Sequence, residues 1–460
     1  MRAVTSDQTA TFTAAFKEAD IRGVYPTEIN DELTYLIARA FVERSGYKKI
    51  VVGRDMRASS PALRDAFVQG ATDAGAQVLD IGLTTTPMLY FASATRKLPG
   101  VMITASHSPK DHNGLKLVSV GAVPLTERTG LGDICRRIVR SRFLPDAKRR
   151  GVVQVKDINP AFMRFMRPHL APPRGGAAML RVVVDCGNGM GSLLLPILGD
   201  AGLMVTPLFP ELDGTFPHRG SNPTVPKNQK AISTTLKTGD YDFGIAFDGD
   251  ADRIAFFDER GRYINSAAIG ALLAERLLPL HPKAVCVGTV LTARAYKEAV
   301  VAHGGRFVRA RVGHSYVKEA MRAQSALIGC EHSGHFFFRD FFGVDSVLMT
   351  LGIVMAAYRT AGVAFSALVS PYTTRYQTED LMVAVADRQA AMTVLGKYLQ
   401  TLKPKVMTEF DGYQADYGEA WVVVKPSVTE LAINIIAEGE TKAAARMLRD
   451  QVLAQARSLA

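Results

Sequence analysis

Four cysteines in 460 residues, Cys135, Cys186, Cys286 and Cys330, are too few and too scattered to staple a fold. They sit among apolar neighbours and form no CxxC pair, which argues against a thiolate metal site as well. No run of about 18 apolar residues occurs, so no transmembrane helix is expected. The polar, Thr-rich segment from Met1 to Phe12 lacks the apolar stretch of a secretory signal. There is no basic run interleaved with aromatics and no zinc-finger spacing, so neither nucleic acid nor a membrane is an expected partner. These absences fit a reduced, cytoplasmic enzyme.

Acidic residues are in the minority, 44 against 55 basic ones, for a net charge of +11. The positive residues are spread out, with only short clusters such as Lys148-Arg149-Arg150. That pattern reads as a cationic surface bias, and next as an affinity for small anions. A length of 460 residues with 47% hydrophobic content suggests about three domains with a large core.

Strand-like and helix-like segments alternate. Lys49 to Gly53 reads as a buried strand, Ser60 to Ala74 as a helix opened by Ser-Pro, Gln77 to Ile81 as strand and Pro87 to Ala94 as helix. Gly100 to Thr104 is a third strand, ending at Ser106. This βαβ rhythm implies a mainly parallel sheet, in which chemistry collects where strands end. Pro168 to Gly176 reads as a connector before a new strand at Leu180 to Val184. Ile254 to Phe257 and Tyr263-Ile264 form a strand-turn-strand, and a third αβ stretch begins near Ala267 and runs through Ala284 to Thr289. Beyond Pro371 the pattern changes, and a final helix spans Thr441 to Leu459.

Two polar runs stand out. One is Thr104-Ala105-Ser106-His107-Ser108-Pro109, continuing to Asn113-Gly114-Leu115-Lys116. The other is Asp248-Gly249-Asp250-Ala251-Asp252-Arg253. Carboxylates at every second position of an extended segment face the same way, repel one another, and call for a hard cation such as Mg²⁺. A solvated acidic turn is the plain alternative, but the strongly apolar strand Phe243 to Phe247 leads into it. An EF-hand fails because Arg253 stands at loop position 6, where glycine is needed, although Glu259 matches position 12. Around Ser106 the GxSxG elbow is missing. The nearby Asn113-Gly114 turn and Lys116 suit phosphate handling better than acyl transfer.

Three weaker motifs remain. Asp185-Cys186-Gly187-Asn188-Gly189-Met190-Gly191 has the wrong glycine spacing for a dinucleotide fold and reads as a tight strand-to-helix turn. Glu331-His332-Ser333-Gly334-His335 suits sugar hydroxyls better than zinc. Gly313-His314-Ser315 with Lys318 is a further polar loop in which His314 by itself reads as structural, and Lys425 to Glu430, by itself a surface turn, offers hydroxyls and a cation that could cradle a phosphate.

In this order the motifs closely resemble the α-D-phosphohexomutase superfamily, and within it the bacterial phosphomannomutase/phosphoglucomutase enzymes. The likeness starts at Phe16 to Gly23, which is similar to the family's DIRG segment, and spans nearly the whole chain. It implies an α/β architecture of three related mixed αβα domains plus a smaller C-terminal α+β domain around a central cleft. Its expected divisions are 1–150 (phosphoserine), 151–257 (metal), 258–370 (sugar) and 371–460 (remote phosphate). It further implies that Ser106 carries a phosphoryl group and that Asp248, Asp250 and Asp252 hold Mg²⁺, with an oxygen of the phosphorylated Ser106 completing the ligands. Arg22, His107, Lys116, Arg253 and His314 would surround the phosphoryl group. Glu331, Ser333 and His335 match the sugar loop, and Lys425, Ser427 and Thr429 the C-terminal phosphate loop.

The activity so implied is reversible conversion of mannose 1-phosphate and mannose 6-phosphate, with glucose phosphates as further substrates. The route is a phosphoserine enzyme and a hexose 1,6-bisphosphate, which also serves as activator; the enzyme itself is expected as a monomer or homodimer. Lys116 and His314 are both candidates for proton transfer. Departures from the family pattern are Ala19, Ser108 and His332, and above all Lys425, Val428, Leu431 and Asn434 in the last loop, where lysine cannot form the two-pronged grip of arginine. Competing readings are a phosphoglucosamine mutase, a Mg²⁺-dependent sugar-phosphate phosphatase with an aspartyl nucleophile, and a non-catalytic sugar-phosphate binding protein.

Overall fold

The computed structural model describes residues 6–170, 178–427 and 431–459. The chain divides into two compact units, one formed by Met1–Tyr263 with Ser333–Phe365, the other by Ile264–His332 with Ser366–Ala460. Among the described residues no single helix is long and apolar enough to cross a membrane.

The first unit opens on a mixed sheet. Its order is Ile21–Val24, His112–Ser119, Gly100–Ile103, Lys49–Arg54, Gln77–Leu83 and Val153–Val155. Lys49–Arg54 runs parallel to both neighbours, while His112–Ser119 is antiparallel to its own. Gly100–Ile103 is buried at every position. A strand covered on both faces reads as a continuous apolar run, which is why Val101, Met102 and Ile103 follow one another.

The flanking helices obey local rules. Asp31–Ser45 is capped by Asn30, whose side chain accepts from the Leu33 N–H, and stops at Gly46. It packs on Ser60–Asp73 so closely that a Cβ at Gly70 would stand 2.4 Å from the Tyr35 carbonyl oxygen. Ser60 does not cap its helix. Ser59 holds the cap position without a side-chain bond, and the Ser60 hydroxyl turns inward to Asp55 Oδ1 at 2.5 Å.

The second sheet of this unit runs Ile254–Asp258, Phe243–Phe247, Leu180–Asp185 and Leu203–Leu208, the last three parallel. The expected connector begins later than the sequence suggested. Pro168 lies inside the helix Asn159–Leu170, near its end, and residues 171–176 fall outside the described residues. Phe243 is fully buried, its ring 4.9 Å from Phe365 and 5.8 Å from Tyr358.

In the second unit, Arg306–Ala310, Val285–Thr289 and Ile328–Cys330 are parallel. The C-terminal sheet is antiparallel, in the order Tyr376–Gln377, Ala432–Gly439, Ala420–Pro426, Tyr413–Asp416 and Val406–Glu409. Alternation along Ala420–Pro426 sorts its side chains. Val422 and Val424 pack with Leu395, Leu399 and Val452 of the helices Arg388–Thr401 and Lys442–Arg457. Trp421, the single tryptophan, and Val423 face the other way and join Val290, Leu291 and Ile436. The architecture is thus α/β, with three mixed or parallel αβα layers and an antiparallel C-terminal sheet.

Truncating Phe243 to alanine removes the ring that packs on both Phe365 and Tyr358. It is expected to cost about 3–5 kcal/mol and to lower the urea midpoint of the first unit. A midpoint equal to that of the parent chain would show that these rings do not anchor it.

Candidate active site

The serine loop follows Gly100–Ile103, and the acidic loop links Phe243–Phe247 to Ile254–Asp258. Although 142 residues separate them, Ser106 Oγ donates to Asp248 Oδ2 at 2.9 Å. Gly249 makes this approach possible, because a Cβ there would lie 2.3 Å from the Ser106 carbonyl oxygen. Ser106 has φ 49°, a left-handed conformation that L residues rarely adopt. Its N–H is held by Thr104 Oγ1 at 2.9 Å.

Asp248, Asp250 and Asp252 are all buried, and each offers an oxygen within 4.8 Å of the others. Burial, then repulsion from Asp252 and Asp250, holds the Asp248 carboxyl well above its ordinary pKa. Asp250 Oδ1 is buried without a hydrogen-bond partner. Three oxygen donors, strained electrostatically and with an orphan lone pair, fit a hard divalent cation. The chain already supplies part of the charge. Lys116 Nζ lies 2.7 Å from Asp250 Oδ2 and 2.5 Å from Asp252 Oδ2. Burial opposes the ammonium, but Asp250 and Asp252 outweigh it and hold Lys116 well above its usual pKa.

Other expected residues gather here. Arg22 Nη1 donates to Ser108 Oγ at 2.9 Å and pairs with Asp20. The His107 Nδ1 lies 3.4 Å from Ser106 Oγ. Part of the His107 side chain stays open to solvent, yet burial of the ring, then Arg253 and Arg22, push its pKa well below the ordinary value. Arg253 Nε donates to His335 Nε2 at 2.9 Å, and the His335 Nδ1 lies 3.2 Å from the Asp252 carbonyl oxygen. His335 is therefore 2% exposed and built into the back of the acidic loop, rather than presented with the sugar motif. Ser333 is partly exposed in the same unit.

Glu331 and His314 belong to the second unit. Glu331 Oε1 accepts from the Gly313 N–H at 3.0 Å, at the start of the helix His314–Ala323, and His314 Nδ1 lies 3.4 Å from Lys318 Nζ. In the last loop, Lys425 is 3% exposed with its ammonium 3.6 Å from Asp411. Asn434, paired with it across the strands, donates to both oxygens of Asp380. Ser427 is buried, its carbonyl accepting from Arg388 Nη1 at 2.6 Å. Thr429 lies outside the described residues.

Several supporting residues escaped sequence reasoning. Thr86, the first residue of the helix Thr86–Arg96, donates its hydroxyl to Asp250 Oδ2 at 2.5 Å and its N–H to the Asp250 carbonyl at 3.1 Å. Arg219 donates to both oxygens of Asp185 and to the Phe247 carbonyl, at the foot of the acidic loop. The Asp185 to Gly191 motif is the tight turn expected of it, and its Met190 N–H donates to the Gly249 carbonyl at 2.9 Å. Arg57 reaches under the serine loop. The only local signal for it was a polar run directly after a buried strand.

Family comparisons agree with this architecture. Residues 13–143, 167–261 and 265–376 match phosphoglucomutase/phosphomannomutase alpha/beta/alpha domains I, II and III. The chain is 33% identical over 437 residues to a phosphomannomutase/phosphoglucomutase of Pseudomonas aeruginosa, covering 93% of this chain and 92% of that one. It is 37% identical over 341 residues to a phosphomannomutase of Salmonella montevideo, covering 72% and 74%. A crystal structure of a phosphoglucomutase/phosphomannomutase family protein from Burkholderia thailandensis superposes with a TM-score of 0.87 at 28% identity, covering 97% of each chain. Fold and homology define a phosphohexomutase, an isomerase that acts by intramolecular phosphoryl transfer. The chain belongs to the phosphoglucomutase/phosphomannomutase family.

Asp248 gives a signed test. Its pKa is higher folded than unfolded, so its ionisation destabilises the metal-free fold. That cost grows as pH rises through the unfolded carboxylate range and is complete above the folded pKa. Asp248→Asn is therefore expected to raise the metal-free melting temperature at neutral pH by several degrees, with the gap closing on acidification. It should also abolish the rise produced by Mg²⁺. A variant that melts lower than the parent in chelator, or still responds to Mg²⁺, would refute this electrostatic account.

Proposed function

We propose that this phosphohexomutase is a cytoplasmic phosphomannomutase that also turns over glucose phosphates. Its phosphoryl carrier is Ser106. The observation that carries this reading is the Ser106 hydroxyl held against the Asp248 carboxylate within a buried, cation-ready triplet. A Mg²⁺ ion held by Asp248, Asp250, Asp252 and an oxygen of the Ser106 phosphoryl group would supply charge neutralisation on the transferring group.

The chain's own residues do the rest. The Oγ–P bond of phosphoserine breaks as a P–O bond forms to the free hydroxyl of a hexose 1-phosphate, and that hydroxyl loses its proton. The 1,6-bisphosphate turns over and returns its other phosphoryl group to Ser106, leaving hexose 6-phosphate. Such transfer depends on positioning and on electrostatic stabilisation of the equatorial oxygens. Arg22, Arg253 and Lys116 provide positive charge. Lys116, whose ammonium lies against two aspartates, and His314 are the candidates for exchanging protons with the serine and sugar oxygens. The His107 Nδ1, 3.4 Å from Ser106 Oγ, lies beside the group to be transferred. Glu331 and Ser333 are assigned to the sugar hydroxyls, and Ser427 and Thr429 to the remote phosphate. Lys425 shares its charge with Asp411, which supports a weaker grip there than an arginine would give.

The test supplies Mg²⁺, a trace of glucose 1,6-bisphosphate, and mannose, glucose or glucosamine 1-phosphate in turn. Formation of 6-phosphate from the mannose and glucose substrates is expected, with glucosamine 1-phosphate much slower. Ser106→Ala should abolish turnover and the mass gain of one phosphoryl group. No turnover with any of the three sugars would sink the proposal, and turnover surviving Ser106→Ala would favour an aspartyl nucleophile.

A further inference from the structure

Arg57 is 1% exposed and lies between Lys49–Arg54 and the helix Ser60–Asp73. Its guanidinium donates to four backbone carbonyls of one loop. Nη2 reaches Ser106 at 2.9 Å and Ser108 at 2.7 Å, while Nη1 reaches Pro109 at 2.5 Å and His112 at 2.9 Å. Asp55 Oδ2 stands 3.3 Å from Nε, Asp55 Oδ1 accepts from the Arg57 N–H, and the Phe216 ring lies 5.1 Å from the guanidinium carbon. The acceptors start at Ser106 and end at the first residue of the strand that carries Lys116. Both backbone groups of Ser106 are thereby fixed, the N–H by Thr104 and the C=O by Arg57.

We propose that Arg57 is a positioning residue for phosphoryl transfer, a buried clamp that holds Ser106 in its left-handed conformation with its oxygen aimed at Asp248. A fold-only role would require just that the carbonyls be satisfied. Here one planar cation gathers four of them around the residue with the least favourable backbone in the loop. Lysine could not replace it, because a single ammonium cannot span both pairs of acceptors. Arg57 touches neither substrate nor metal in this scheme. Its removal therefore acts on the rate of transfer and leaves sugar and Mg²⁺ affinity in place. The inference rests on Ser106 being the phosphoryl carrier.

The test compares the parent chain with Arg57→Met, Arg57→Lys and Asp55→Asn. Rapid quench with glucose 1,6-bisphosphate and intact-mass readout gives the rate of Ser106 phosphorylation. Steady-state assays give KM, calorimetry gives Mg²⁺ affinity, and circular dichroism melts report folding. Arg57→Met is expected to slow phosphorylation about 100-fold, and Arg57→Lys and Asp55→Asn about tenfold, with KM and Mg²⁺ affinity within about threefold. Should Arg57→Met fail to fold, the other two decide. A folded Arg57 variant that phosphorylates Ser106 within about threefold of the parent rate, or that loses sugar or metal affinity in proportion to rate, overturns the clamp alone. A parent chain that never acquires a phosphoryl group on Ser106 removes the proposed function itself, and the clamp with it.

Discussion

Three carboxylates that cannot escape one another govern the first unit. With donor oxygens inside 4.8 Å, each ionised pair repels by about 3 kcal/mol at an effective dielectric constant of about 20. No fold tolerates that at its centre without positive charge. The chain provides some of it through Lys116 and Arg253, and the raised Asp248 carboxyl and the orphan oxygen of Asp250 show that the compensation is incomplete. The remaining demand is for positive charge, of the kind a hard divalent cation would supply.

The backbone delivers these charges. Ser106 and Ala251 both adopt left-handed conformations, and the Asp252 and Arg253 amides donate to Asp248 Oδ1. Two loops from different sheets therefore meet as rigid turns rather than as flexible tips. That suits a reaction in which little covalent work falls to side chains and small errors in placement are expensive. His335 extends the scheme, tying Arg253 to the Asp252 carbonyl from behind.

The parts legible in the sequence were those written locally. Apolar runs such as Val101 to Ile103 declared buried strands, and aspartates at 248, 250 and 252 marked a candidate cation site through their spacing, which the fold gathers within 4.8 Å. Arg57, Thr86 and Arg219 carried no such pattern, because each is a single polar residue whose partners in the two loops lie 28 to 164 positions away. Ser60 misled for the converse reason: Ser-Pro is a good local start signal, but a buried Asp55 outbid the helix end for its hydroxyl. Pro168 is tolerated inside its helix only because it stands near the last turn, where few backbone bonds remain to be lost. The pairing of Lys425 with Asp411 was equally unreadable, since only the fold brings strand and turn together.

Trp421 sits alone in the chain, 1% exposed on the inner face of the C-terminal sheet, with the Arg294 guanidinium 5.9 Å from its ring centroid. The molecule consequently carries one indole fluorophore, and it belongs to the second unit. Indole emission follows the melting of that unit without any label, while the half that bears Ser106 stays dark at those wavelengths.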